Sequence, residues 1–407
     1  MSTRSIVLGL FALGAALAPR TALAVDPACN TLTPTPLYLS GSTALEPLLK
    51  TIGPKVAADA TSPYTLVYLK DGSCSGVTRI IGDGLIKQTM NYIPATYDGV
   101  SAVPTCSVDA TAGLAGDLVL SDVDASLCPG SPAIPNLKDF NGPVNNMVFV
   151  VPNTSTQTAI SAEQAYLVFG LADAGMVAPW LDKMYYFIRA VDSGTRAMIT
   201  ANIGTGSHAW NGVSMKPTGG SNGTGDVLNY VVGQATTGNQ EKTIGILGED
   251  FYDQSNNRSS VKALAYRAFK QRYAYWPDST LTSRDKRNVR DGRYGIWGYI
   301  HMLAAVDGQG VPTNAKAKFF IDLLQGTSTP VGYDVTDAIT DSHLTPTCAM
   351  NVKHPIEFGA LTPYAPDKPC GCSFEKRATG AEPTGCMACT GTCPGTQVCR
   401  KNYCEAK

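Results

Sequence analysis

Apolar positions along this chain cluster in short runs bounded by turn residues, and helical stripes are fewer. The runs at 37–39, 64–68, 118–120, 147–151, 185–188 and 244–247 read as short buried strands. The first two each give way to a helix start. The run at 37–39 leads through Ser40-Gly41-Ser42-Thr43 into 44–50, a helix start in which Pro47 falls early enough to be tolerated. The run at 64–68 leads through a turn, 71–76, into a helix starting near Val77. An Ala- and Leu-rich helix is predicted at 161–172, after the strand at 147–151, and further helices at 264–273 and 316–324. Strands alternating with helices predict an α/β chain with open sheets, whose ligands bind where strands give way to helix N-termini. No repeat of fixed period is visible.

At 407 residues the chain exceeds what one core organises, so two or more domains are expected. A hydrophobic fraction of 44% excludes a mostly disordered chain. The net charge of -1 provides no global field for nucleic acid or an anionic membrane, so any anion site must be local. The first 24 residues read as a secretory leader: Arg4, an apolar stretch over 5–18, and Ala22-Leu23-Ala24 as the cleavage signal. Cleavage after Ala24 predicts a periplasmic or extracellular product, and no later stretch is long and apolar enough to span a membrane.

All 12 cysteines lie beyond that point, an even number in an oxidising compartment, so disulfides are expected throughout. Cys29, Cys74, Cys106 and Cys128 form a front group, for which Cys29–Cys74 and Cys106–Cys128 are the expected pairs. Cys348, Cys370, Cys372, Cys386, Cys389, Cys393, Cys399 and Cys404 crowd the end, where large aliphatics are scarce and covalent staples must replace a core. Zinc at Cys386-x2-Cys389-x3-Cys393 is the competing reading, with no histidine at finger spacing to support it.

Four turns place glycine and hydroxyl residues, or a Ser-Asp pair, at strand ends: 41–43, 72–76, Ser121-Asp122 and 193–195. Each would present backbone N–H groups and the positive end of a helix dipole. One such turn is ordinary capping. Four, with Arg189 just before Ser193-Gly194-Thr195 and Asp122 closing another, point to a dehydrated oxyanion held by many neutral donors.

These motifs, in this order over roughly 37–326, resemble the periplasmic phosphate-binding proteins of ABC importers. Arg-x-x-x-Ser-Gly-Thr at 189–195 is the most specific of them, and the later glycine stretch 219–225 followed by Ile244-Gly245 fits as well. The resemblance implies a two-lobed periplasmic-binding-protein fold of two open α/β sheets with a hinge, closing on phosphate or a related oxyanion. Lobe 1 would comprise 31–147 and 292–347, lobe 2 148–291, and a Cys-rich module 348–407, with chain crossings near Val148 and Arg293. The implied donors are Ser42, Thr43, Ser73, Ser75, Ser193, Gly194 and Thr195. Arg189 would supply the forked charged contact, and Asp122 would accept a proton from the ligand. Neither cofactor, metal nor catalytic role is implied. Cys74, the segment 91–116 and the tail after Thr347 depart from the family pattern.

Two other readings remain open. An extracellular surface or adhesion protein could keep the same lobes and dock through its Cys-rich tail; its partner would be a cell-surface component in place of an ABC permease. A hydrolase would use Cys74 in Gly72-Ser73-Cys74-Ser75-Gly76 as a nucleophile elbow, with a base from His208, His301, His343 or His354. The basic run 284–293 is interleaved with Asp and reads as a solvated loop.

Overall fold

The computed structural model describes residues 26–128, 130, 136–206, 209–215, 223–328 and 332–406. The expected leader, His208 and residues 219–222 of the glycine stretch lie outside them. Strands β1 (Pro36–Gly41), β2 (Thr65–Leu69), β3 (Met90–Ile93), β4 (Thr105–Cys106) and β5 (Leu118–Ser121) make one part of the principal sheet. Strands β6 (Leu137–Pro152), β7 (Tyr186–Arg189), β8 (Val213–Met215), β9 (Ile244–Gly248), β10 (Val261–Ala263) and β11 (Trp297–Ala305) complete it. The order is β8-β7-β9-β6-β11-β5-β1-β2-β3-β4, with β10 also on β6. β1 runs parallel to β2 and β5, and β7 parallel to β8 and β9. Leu37 and Leu39 are fully buried and Tyr38 nearly so, as a strand covered on both faces requires.

β6 joins the two parts. Its residues 137–146 pair with β11, whereas 147–150 pair with β9 and 150–152 with β10. The strand therefore changes partners between Asn146 and Met147. Tyr294 donates its hydroxyl to the Met147 carbonyl at 2.6 Å, which pins the incoming β11 segment to that point.

Two helices start where the sequence places turns. Helix α1 (Glu46–Ala57) follows the Ser42 turn with Pro47 in its first turn, and buries Leu48, Leu49, Ile52 and Val56 along one face. Helix α2 (Ser73–Ile81) begins at Ser73, four residues earlier than expected from Val77, so its serines sit in the first turn. The helix expected at 264–273 is absent: Ala265–Arg267 is a strand paired with Ala159–Ser161. Its apolar run is only Leu264, Ala265 and Tyr266, all buried, and Lys270 beyond it has a left-handed φ of 67°. Segment 91–116 contributes to β3 and β4, which extend the sheet edge, β3 antiparallel to β2 and β4 antiparallel to β3.

The front disulfides are Cys29–Cys106 and Cys74–Cys128, so both expected pairs are wrong. The pairing follows the sheet: Ala28 bridges Ser107, which brings Cys29 to the β3–β4 edge, while Cys74 on α2 faces the turn after β5. Closing the 54-residue separation of Cys74–Cys128 restrains the unfolded chain by about 4 kcal/mol. In the tail the pairs are Cys348–Cys370, Cys372–Cys386, Cys389–Cys399 and Cys393–Cys404. These staple a helix (Gly371–Thr379) to a small three-stranded sheet (387–405) and leave no thiolate for zinc. Glu405 caps that helix, accepting from the Cys372 and Ser373 N–H groups at 3.0 and 3.1 Å.

The basic run is not a solvated loop. Lys286 is buried among Glu249, Asp253 and Asp278, with Arg258 completing the cluster. Arg290 donates to the Ala349 carbonyl at 2.9 Å and to Glu375 at 3.1 Å, clamping the Cys-rich module to the body. Carboxylates from distant segments, invisible to a local charge count, neutralise the run.

Candidate functional site

Two of the glycine turns face each other across the join between the sheet's two parts. Gly41 ends β1 with φ 122°, and a Cβ there would lie 2.1 Å from the Leu120 carbonyl oxygen, so only glycine fits. Ser42 follows, buried, its Oγ accepting from the Ala44 N–H at 3.1 Å. Ser73 opens α2 beside the end of β5. Its Oγ accepts from the Asp122 N–H and donates to Asp122 Oδ2, both at 3.1 Å.

From the other side comes β7, ending at buried Arg189, and then Ser193 and helix α3 (Gly194–Ile203). An Arg189 Nη1 group donates to Thr224 Oγ1 at the start of the next helix, Thr224–Gly233. Gly194 lies so close to the first side that an added Cβ would be 2.3 Å from Ser73 Oγ and 2.7 Å from Asp122 Oδ2. The two sides are closed on one another. Ser75 Oγ donates to Asp192 Oδ2 at 3.2 Å, and the Cys74 N–H donates to the Asp192 carbonyl at 3.1 Å.

Among the described residues, three buried polar atoms in this contact lack a hydrogen-bond partner: Asp122 Oδ1, Arg189 Nε and Ser193 Oγ. An acceptor, a charged donor and a hydroxyl that can be either are thus left for a ligand. Burial pushes the Asp122 carboxyl up, against the pull of the Ser42 and Ser73 hydroxyls and of Arg189. The Arg189 guanidinium is lowered by burial, opposed by Asp122, Asp192, Asp250 and Asp226. Asp250 rises further, to about 7, through burial and the charge of Asp122, restrained by the Asn145 amide at 3.3 Å.

Of the residues expected at the site, Ser42, Ser73, Asp122, Arg189, Ser193, Gly194 and Thr195 are buried at or beside this contact. Ser75 is instead engaged in tying the two sides together, and Thr43 is half-buried beside Ser42. Asn145, Thr224 and Asp250 were not foreseen. Thr224 carries the same glycine-hydroxyl signature before a helix, and Asp250 closes a strand much as Asp122 does; Asn145 has no local signal. Cys74 is bridged to Cys128, which removes the nucleophile that a hydrolase would need.

No family model matches this chain, and none of the curated proteins does. Solved structures do. A phosphate ABC transporter substrate-binding protein from Clostridium perfringens, solved with bound phosphate, aligns over 77% of this chain and 100% of its own, with TM-score 0.50 and 14% identity. The fold is that of the periplasmic solute-binding proteins. An ABC-type phosphate transport receptor from Vibrio cholerae covers 77% of this chain and 100% of its own at TM-score 0.48 and 14% identity. A high-affinity periplasmic phosphate-binding protein, PfluDING, covers 77% and 90% at TM-score 0.44 and 13% identity. Beyond that fold the chain carries the Cys-rich module stapled by four disulfides. No helix among the described residues is long and apolar enough to cross a membrane.

Proposed function

We propose that this chain is an exported solute-binding protein that captures phosphate in the closed contact between its two lobes. The observation that carries this reading is the trio of buried, unpartnered atoms on Asp122, Arg189 and Ser193. A protonated oxyanion matches all three: its oxygens accept from Arg189 Nε–H and Ser193 Oγ–H, and its P–OH donates to Asp122 Oδ1. The six disulfides fit a periplasmic or extracellular location, and an ABC permease is the partner that such a capture protein would serve.

Calorimetric titration of the phosphate-stripped protein tests this. Phosphate should bind one to one. Arg189→Ala removes a charge-assisted hydrogen bond worth roughly 1.5–3 kcal/mol and should weaken binding by at least about tenfold. A wild type that takes up no phosphate overturns the reading, and unchanged affinity in the variant removes Arg189 from the site.

A further inference from the structure

Two residues beyond Asp122 the chain enters a cavity of about 370 Å³, lined in part by Asp124, Asp139, His301, His354 and Glu357. No Lys or Arg among the described residues lines it. This distinguishes it from the buried carboxylates Glu249, Asp253 and Asp278, where Lys286 and Arg258 already fill the middle.

Neighbouring strands and a capped turn build the cavity. His301 on β11 stands opposite Ser121 of β5 and Asn141 of β6, with Asp139 two residues along β6. Asp124 caps the turn Ala125–Leu127 with Oδ1, which accepts from the Ser126 N–H at 2.8 Å. One ligand atom from each of Asp124, Asp139 and His301 falls within 4.8 Å of the others. A zinc-like ion at roughly 2.0–2.2 Å from each ligand needs them about 3.4 Å apart, so His301 Nδ1 and Asp139 Oδ2, now hydrogen-bonded to each other, would open to admit it while the Asp124 carboxylate draws in.

The second observation is a set of buried polar atoms with no hydrogen-bond partner: Asp139 Oδ1, His301 Nε2, His354 Nε2 and Glu357 Oε1. His301 is only 2% exposed. Its Nδ1 lies 2.5 Å from Asp139 Oδ2, and its Nε2 lies 3.3 Å from Glu357 Oε1 without hydrogen-bond alignment. His354 Nδ1 is 2.8 Å from the Gly359 carbonyl; donating there makes Nε2 a bare lone pair. Buried groups left unsatisfied in this way ask for a partner.

We propose that Asp124, Asp139 and His301 bind a divalent transition-metal ion of the zinc class. Two carboxylates and an imidazole suit zinc better than calcium or magnesium, which prefer all-oxygen shells. The metal takes His301 Nδ1, and any proton held there leaves to solvent. Glu357 then receives the Nε2–H and fixes the ring, the outer-shell arrangement common for metal-bound histidine.

The test uses the full, untagged, oxidised chain, chelator-stripped and titrated with Zn²⁺ in phosphate-free buffer, with Co²⁺ absorption as a second readout. One Zn²⁺ per chain is expected. Asp124→Asn keeps the turn cap, so its melting temperature in chelator should match wild type while its Zn²⁺ affinity falls at least tenfold. His301→Gln should do the same, and if it fails to fold, Asp124→Asn decides. A wild type without stoichiometric Zn²⁺ uptake overturns the proposal. So does equal uptake by wild type and Asp124→Asn, which would place the ion elsewhere and leave this cluster as ion pairs alone.

Discussion

Gly194 and Ser73 meet across the join between the sheet's two parts so closely that a methyl group on Gly194 would sit 2.3 Å from Ser73 Oγ. The closed form therefore depends on a hydrogen at that position. On the proposed function, Gly194→Ala should hold the two sides apart and weaken phosphate binding at least tenfold, with little change in the melting temperature of the ligand-free chain. Calorimetry with thermal melting reads both. Full affinity in the variant would mean that closure does not require this contact.

Asp122 sets selectivity on the same reading. Its Oδ1 is an acceptor facing the ligand space, so phosphate, which keeps a proton near neutral pH, is welcome, and sulfate, which keeps none, is repelled. Wild type should prefer phosphate over sulfate, and Asp122→Asn should narrow the gap mainly by admitting sulfate. Competition binding measures this, and equal wild-type affinities for the two anions would exclude the role.

Asp250 makes stability depend on pH. Its folded-state pKa, about 7, exceeds the ordinary aspartate value of 3.8, so the native chain holds a proton that the unfolded chain releases. Its contribution is fully present below about pH 4 and is lost as pH rises towards 7, by at most about 4 kcal/mol across that interval. Asp250→Asn can keep the hydrogen bond from Asn145 and should melt higher than wild type at pH 8 but not at pH 4. A difference that does not change with pH would contradict this assignment.

The tail should behave as a covalently stapled unit. Its four bridges close separations of only 10–22 residues, around a helix that buries little beyond Phe374 and Glu375. Native peptide mapping should find none of the eight tail cysteines alkylatable. Mild reduction should expose 371–405 to protease while the sheet stays protected. Simultaneous loss of the sheet would show that the module is part of the main cooperative unit.

Much of this architecture is legible in the sequence because its strands are short, apolar and bounded by turn residues. The run 37–39 with Gly41 and Ser42, and Arg189 with Ser193, could be placed because backbone turns and helix starts demand those residue types locally. Three-dimensional apposition was not legible. Cys29 reaches Cys106 only through the edge pairing of Ala28 with Ser107. Lys286 and Arg290 read as solvated because Glu249, Asp253, Asp278 and Glu375 approach from elsewhere in the chain. Asp124, Asp139 and His301 share no spacing motif at all; the register of β11 against β5 and β6 brings His301 between them.

The Cys74–Cys128 bridge has a consequence for when the protein can work. It ties the helix whose Ser73 hydroxyl holds Asp122 to the turn just after Asp122, the carboxylate that would meet the anion's proton. A newly made chain in a reducing compartment lacks that tie and holds the two groups by hydrogen bonds alone. On the proposed function oxidation would act as a licensing step: full capture strength would arrive only with the bridge, and a reduced chain would leave the ligand around it untouched.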